Sequence, residues 1–236
     1  MHRQYGDRRI VVGPAAAFSL EDPDNTNYSI RAGGRQHYLI RRYDVAANPV
    51  NSGDQVVYLT SNSTGNDAFY DAPSGGNVIT QVTIANGAVS APFYYYDDKV
   101  GNWTITASDA SPANGLTGIA DATNALGVLV GAASKLLFTR NPIDGKYTAL
   151  LAPQPAVMVT DAYGNMNNTV ADITLAKMNG LGTLTCTANP ARVVKGALTS
   201  LVTFAGCKLS NPGVYYFQAS ASGLTTGESG VFTLVP

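Results

Sequence analysis

The chain has 236 residues, of which 13% are charged, and a formal net charge of −1. Soluble domains ordinarily carry about 25% charged residues, and a chain without a net field draws in neither nucleic acid nor an anionic membrane. No apolar run approaches the roughly 18 residues that a membrane-spanning helix needs, so membrane insertion is not expected. The charge is unevenly placed: +2 over residues 1–10, −6 over 11–128 and +3 over 129–236. Opposite signs on adjoining segments would favour head-to-tail contact between chains, modestly, because salt screens surface charge within about 10 Å.

In chain order, residues 1–10 form a polar, basic arm with no counterpart later in the sequence. Arg3, Tyr5, Arg8 and Arg9 are candidates for docking on a neighbouring subunit by strand addition. The stretch Arg8 to Phe18 faintly suggests an export signal. Its apolar run is short and Pro14 interrupts it, so residues 12–20 are read as a first strand. Period-two alternation then predicts strands at 37–43, 56–60, 78–84, 91–96 and 103–107, separated by Gly, Asn, Ser and Pro clusters. In the last of these Trp103, Ile105 and Ala107 share one face. Tyr94 and Tyr96, flanking Tyr95, fall on the opposite face from it and form a candidate contact surface. Asp97 and Asp98 point to opposite faces, which argues against a paired-carboxylate site. Residues 115–121 are read as the last strand of a first domain and 122–130 as a short hinge.

The remainder repeats this pattern. Asp44 to Val50 (DVAANPV) corresponds to Asp161 to Met166 (DAYGNM) at an offset of 117. Gly101 to Ser108 corresponds to Gly213 to Ser220 at an offset of 112. Strands are predicted at 136–138, 156–160, 173–175, 182–186, 201–204 and 215–219, with Tyr215, Phe217 and Ala219 inward. Many short strands with frequent turns describe sandwiches of antiparallel sheets. The fold class is therefore all-β, two tandem immunoglobulin-like β-sandwich domains. The division is 1–10 for the arm, 11–126 for domain 1 and 127–236 for domain 2. Trp103, Ile105, Tyr215 and Phe217 are the expected structural core.

Two constellations admit chemical readings. Asp161 and Asn165 fit a tight strand-ending turn; the other reading is a calcium ligand set. Calcium takes six to eight oxygens, so one carboxylate makes it a thin one. Cys186 and Cys207, the two cysteines, either close a local disulfide or stay as reduced, partly buried thiols; the bridge is expected. Zinc is disfavoured, with only His2 and His37 to add to two thiols. No nucleophile, phosphate-loop or dinucleotide motif occurs, and two histidines leave little for general-base work. No catalytic residue and no cofactor are expected.

The runs Lys135 to Pro142, Pro155 to Asn165, Val202 to Phe204 and the closing Ala219-Ser220 strand resemble bacterial Ig-like modules of the invasin and intimin type. Phe93 to Ser108 is similar to a phrase in tandem modules of long bacterial surface proteins. Domain 1 departs from the pattern, with Ala46-Ala47 where the family has Tyr-Gly. The resemblance implies a non-catalytic extracellular or cell-surface module. Its setting would be a surface layer, an adhesin stalk or a self-assembling fibre, with further Ig-like modules or copies of itself as partners. The alternative is a carbohydrate-binding module that presents the domain 1 tyrosines to a glycan or host-surface receptor.

Overall fold

The computed structural model describes residues 11–194 and 201–236; the expected arm residues Arg3, Tyr5, Arg8 and Arg9 lie outside them. The chain divides into two compact units at Leu129/Val130, each with its own core.

Unit 1 contains β1 (Ala17–Glu21), β2 (Ser29–Arg31), β3 (Gly34–Tyr43), β4 (Gln55–Ser61), β5 (Ala68–Tyr70), β6 (Val78–Ile79), β7 (Gln81–Ile84), β8 (Ser90–Asp97), β9 (Gly101–Ser108) and β10 (Ala122–Leu129). One sheet has the order β1-β3-β8-β5-β6 and the other β2-β10-β9-β4-β7. Alternation decides what each buries. Tyr38, Ile40, Phe93 and Tyr95 point inward from the first sheet; Val57, Leu59, Ile105, Ala107 and Leu126 come from the second. Burying each large apolar side chain is worth about 1.5–3 kcal/mol. Offset aromatic pairs knit the centre, Tyr38 on Phe93 at 5.2 Å and Phe69 against Tyr95 at 5.1 Å.

Several expectations are corrected here. Residues 115–121 form a loop in which Gly115 and Gly118 take φ of 71° and 75° and Leu116 is exposed. The last strand is instead β10, so the expected hinge and the expected boundary at 126/127 both fall within it. Residues 78–84 are not one strand. The chain passes from the first sheet to the second at Thr80, whose carbonyl accepts from Leu59 N at 2.9 Å.

Unit 2 contains β11 (Lys135–Arg140), β12 (Gly145–Lys146), β13 (Ala156–Thr160), β14 (Ala171–Lys177), β15 (Leu184–Thr185), β16 (Ala191–Val193), β17 (Leu201–Thr203), β18 (Lys208–Leu209), β19 (Gly213–Tyr215), β20 (Phe217–Ser220), β21 (Gly227–Glu228) and β22 (Phe232–Val235). Its ladders run β11-β13-β17, β12-β22-β19, β16-β14-β20-β21 and β15-β18. The segment 213–220 changes partners at Tyr216, pairing first with β22 and then with β14. Val157, Val159, Ile173, Phe204, Tyr215, Phe217 and Phe232 fill the core.

Candidate functional site: duplicated strand-end clasps

Each unit locks its opening segment with the same device. In unit 1, Asp44 Oδ2 accepts from Gly13 N at 2.9 Å, and Asp44 Oδ1 accepts from Ala46 N and Asn48 N at 2.9 and 2.8 Å. Asn48 Nδ2 donates to the same carboxylate at 3.0 Å. In unit 2, Asp161 Oδ2 accepts from Gly131 N at 3.0 Å and Asn165 Nδ2 at 2.9 Å. Its Oδ1 accepts from Tyr163 N and Asn165 N, both at 2.9 Å. Every lone-pair direction of Asp161 thus meets an N–H donor. A turn needs that arrangement; a cation needs those oxygens for itself.

The departure in domain 1 costs backbone strain rather than geometry. Ala47 occupies the slot of Gly164, and both are left-handed, with φ of 62° and 94°. A Cβ at Gly164 would touch nothing within 4 Å, so only the backbone preference is at stake there. Left-handed backbone costs an L-residue about 1–2 kcal/mol. We expect Gly164→Ala to destabilise unit 2 by about 1 kcal/mol and Ala47→Gly to stabilise unit 1 by a similar amount, read by urea unfolding.

The clasp carboxylates also set the acid limit. Donation from the Asn48 side chain, then from Gly13 N and Asn48 N, holds Asp44 down from 3.8 to about 2. At Asp161 burial pushes upward, but the donors Asn165, Gly131 and Tyr163 outweigh it and hold the group below its ordinary value. A carboxylate depressed in the folded state stabilises above its unfolded pKa, and that stability is lost as pH falls through the folded one. The urea midpoint should therefore drop between about pH 4 and about pH 2. Asp44→Asn should flatten the part of that slope that belongs to unit 1.

Behind each clasp the first strand is tied to both sheets. Ala16 N donates to Tyr43 O on one side, while Phe18 N and Ala120 N exchange bonds with Ala120 O and Ala16 O on the other, at 3.0 and 2.9 Å. Unit 2 repeats this: Ser134 N to Thr160 O, Leu136 N to Thr225 O, and Thr225 N to Ser134 O at 2.8 Å. The bridges Ala17–Ala120 and Lys135–Thr225 are both parallel.

A second device is duplicated. Trp103 Nε1 donates to Lys99 O at 2.9 Å, four residues back, and Tyr215 Oη shares its proton between Leu181 O at 2.5 Å and Asn211 O at 2.9 Å, the latter also four residues back. Each ring folds over a glycine two residues earlier. A Cβ at Gly101 would lie 2.7 Å from the Trp103 ring, and one at Gly213 3.3 Å from Tyr215 Oη. This is the tyrosine-corner geometry of immunoglobulin sandwiches. Ile105, Tyr215 and Phe217 are fully buried; Trp103 is only partly buried and caps the rim of its core.

Cys186 and Cys207 are bonded, across a sequence separation of 21. Gln154 holds the backbone of Cys207 from both sides, its Oε1 accepting from Cys207 N at 2.7 Å and its Nε2 donating to Cys207 O at 3.2 Å. On the outer face of unit 1, Tyr94 stacks on His37 at 4.7 Å and Tyr96 meets Tyr70 edge-on at 6.4 Å. His37 Nδ1 lies 3.1 Å from Asp24 Oδ1. Asp97 is buried and accepts from Tyr95 Oη at 2.8 Å, and Asp98 accepts from Asn66 N and Nδ2 at 2.9 and 2.7 Å. Contrary to the expectation of opposite faces, both carboxylates flank Gly65, where a Cβ would lie 2.7 Å from Asp97 Oδ1 and 2.9 Å from Asp98 Oδ1; the strand ends at Asp97, so alternation no longer governs Asp98.

The sequence reading passed over Arg42. It is 2% exposed, and no carboxylate among the described residues is bonded to it. Nε donates to Val50 O at 2.9 Å, and Nη2 donates to Gly53 O at 2.8 Å, Ala88 O at 3.0 Å and Ala85 O at 3.4 Å. One guanidinium therefore gathers the 50–53 and 85–88 loops. Burial pushes its pKa down, with Asp54 opposing.

No family model matches the sequence, and no curated protein matches it. Among solved structures, the D00-D0 domain of intimin is 12% identical over 93% of this chain and 100% of that chain, with a TM-score of 0.45. The Escherichia coli adhesin FdeC is 14% identical over 96% of this chain and 66% of its own, at 0.39. Domains 5-6 of the S-layer protein SbsC are 17% identical over 95% and 98%, at 0.31.

Proposed function

We propose that this chain is a non-catalytic, extracellular load-bearing module. It would be a segment of a surface layer, an adhesin stalk or a self-assembling fibre, with like modules or copies of itself as partners. One observation carries the reading: the first strand of each unit is bonded in parallel to residues leading into its final strands. Tension along the chain pulls two parallel neighbours in opposite directions along their own length. The bonds between them are then loaded together in shear, instead of opening one after another. The buried clasp carboxylate holds the segment just before that bridge, through Gly13 N in unit 1 and Gly131 N in unit 2. The disulfide fits an oxidising compartment, where such bonds persist. The titratable groups are spent on turns and loops, which leaves the outline of a scaffold and not of a catalyst.

Ala120→Pro tests this, because it removes the N–H that donates to Ala16 O. Its equilibrium cost should be about 1–2 kcal/mol, but the rupture force of unit 1, pulled from its ends, should fall while that of unit 2 stays unchanged. An unaltered unit 1 rupture force would defeat the proposal.

A further inference from the structure

Beside the outer aromatic row of unit 1 lies a cleft of about 630 Å³ that the structural role does not use. Its walls are Arg35, Tyr70, Tyr96 and the 73–75 loop, with Gly33 and Gly34 at the floor. The register sets Arg35 opposite Tyr96, and Arg35 reaches across to β5, its Cζ 3.5 Å from the centre of the Tyr70 ring. Nη1 donates to Ala72 O at 2.6 Å and Gly75 O at 2.9 Å. The guanidinium is thereby fixed in plane and direction before any ligand arrives. Asp71, the carboxylate at the base of that loop, accepts from Asn77 N and Nδ2 at 2.8 and 2.9 Å, which closes the loop, and also feels the Arg35 charge without bonding to it.

What remains of Arg35 is decisive. Both Nη1 protons are committed to carbonyls, while Nε and Nη2 have no bonded acceptor among the described residues. Those two nitrogens present parallel N–H groups on one edge, the fork that binds a carboxylate bidentately. Tyr70 and Tyr96 stand nearly perpendicular, at 82°; the guanidinium covers one face of Tyr70, so the Tyr96 ring is the apolar wall of the corner beside its free edge. A carboxylate on a compact ring whose C–H faces can rest in that corner satisfies both features. We infer that the cleft binds an acidic saccharide, a uronic-acid-type sugar, with its carboxylate on the Nε/Nη2 edge of Arg35 and its ring against Tyr96. The ligand site is thus centred on Arg35 and shares only Tyr96 with the Tyr94/Tyr96 surface expected from sequence; Tyr94 is stacked on His37.

The test is an NMR titration of the 236-residue chain with glucuronate, glucose and acetate, following the Gly33 and Gly75 amides and the Arg35 Nε–H. Glucuronate should shift all three saturably, and glucose and acetate should bind at least about tenfold more weakly. Arg35→Lys keeps the charge but loses the fork, and should weaken glucuronate about tenfold. Tyr96→Ala, which leaves the Arg35 bonds to the loop in place, should do likewise. Absence of a saturable shift, equal binding of glucose or of acetate, or unchanged binding by both variants overturns the site.

Discussion

Replacing Arg42 by Met should lower the stability of unit 1 by about 2–4 kcal/mol, since several part-buried carbonyls lose a charged donor and each such loss costs about 1–3 kcal/mol before relaxation. Methionine keeps most of the stem's volume, so the loss reports the four carbonyls left without a charged donor. The loops that those carbonyls belong to are further tied by Asn86, which accepts from Gly53 N and donates its own N–H to Asp54. Disruption should therefore spread over 50–54 and 85–88 rather than stop at one side chain. Trp103 is the one tryptophan and sits in unit 1, so its fluorescence follows this unit alone. A large fall in the urea midpoint of that signal is expected. A midpoint close to that of the parent would mean that water replaces the guanidinium without penalty.

The second large effect belongs to unit 2. Reducing the Cys186–Cys207 bond releases a loop closed over a separation of 21 residues, which on the chain-entropy estimate costs about 3 kcal/mol. Cys207 is fully buried beside Phe204 and Leu209 in the core, so the paired change to Ala adds the loss of packed sulfur. Circular dichroism should show an earlier transition under reducing conditions, while the Trp103 transition stays where it was. A matching shift in both signals would show that the units do not unfold independently.

How much of this was legible beforehand depends on whether a residue acts through periodicity or through a partner. Ile105, Ala107, Tyr215, Phe217 and Ala219, read inward from alternation, are fully buried, while Trp103, read on the same face as Ile105, is only partly so. The repeated Asp and Asn at an offset of 117 marked both clasps, because a short acceptor before a left-handed residue can do little else than organise a turn. What failed had a partner hidden in space. Strand β10 was missed because Asn124 interrupts its apolar pattern; the structure shows that slot satisfied by Tyr38 Oη, which donates to Asn124 Oδ1 at 3.0 Å. Arg42 follows Tyr38 and Ile40 at period two, so its inward direction was available, but its four carbonyl acceptors come from loops no pattern connects. The Arg35 cleft was invisible for the same reason, since the edge left free is defined by which nitrogens the 72–75 loop takes.

The most direct measurement is force-extension of the single chain held at its two ends, with and without reductant. Two sharp ruptures are expected, one per clasped sandwich. Reductant should lengthen one of them by roughly 70 Å, the span of about 20 residues at ~3.6 Å each, and leave the other unchanged. A single rupture, or gradual extension at low force in either condition, would contradict a chain built as two separate shear-loaded units.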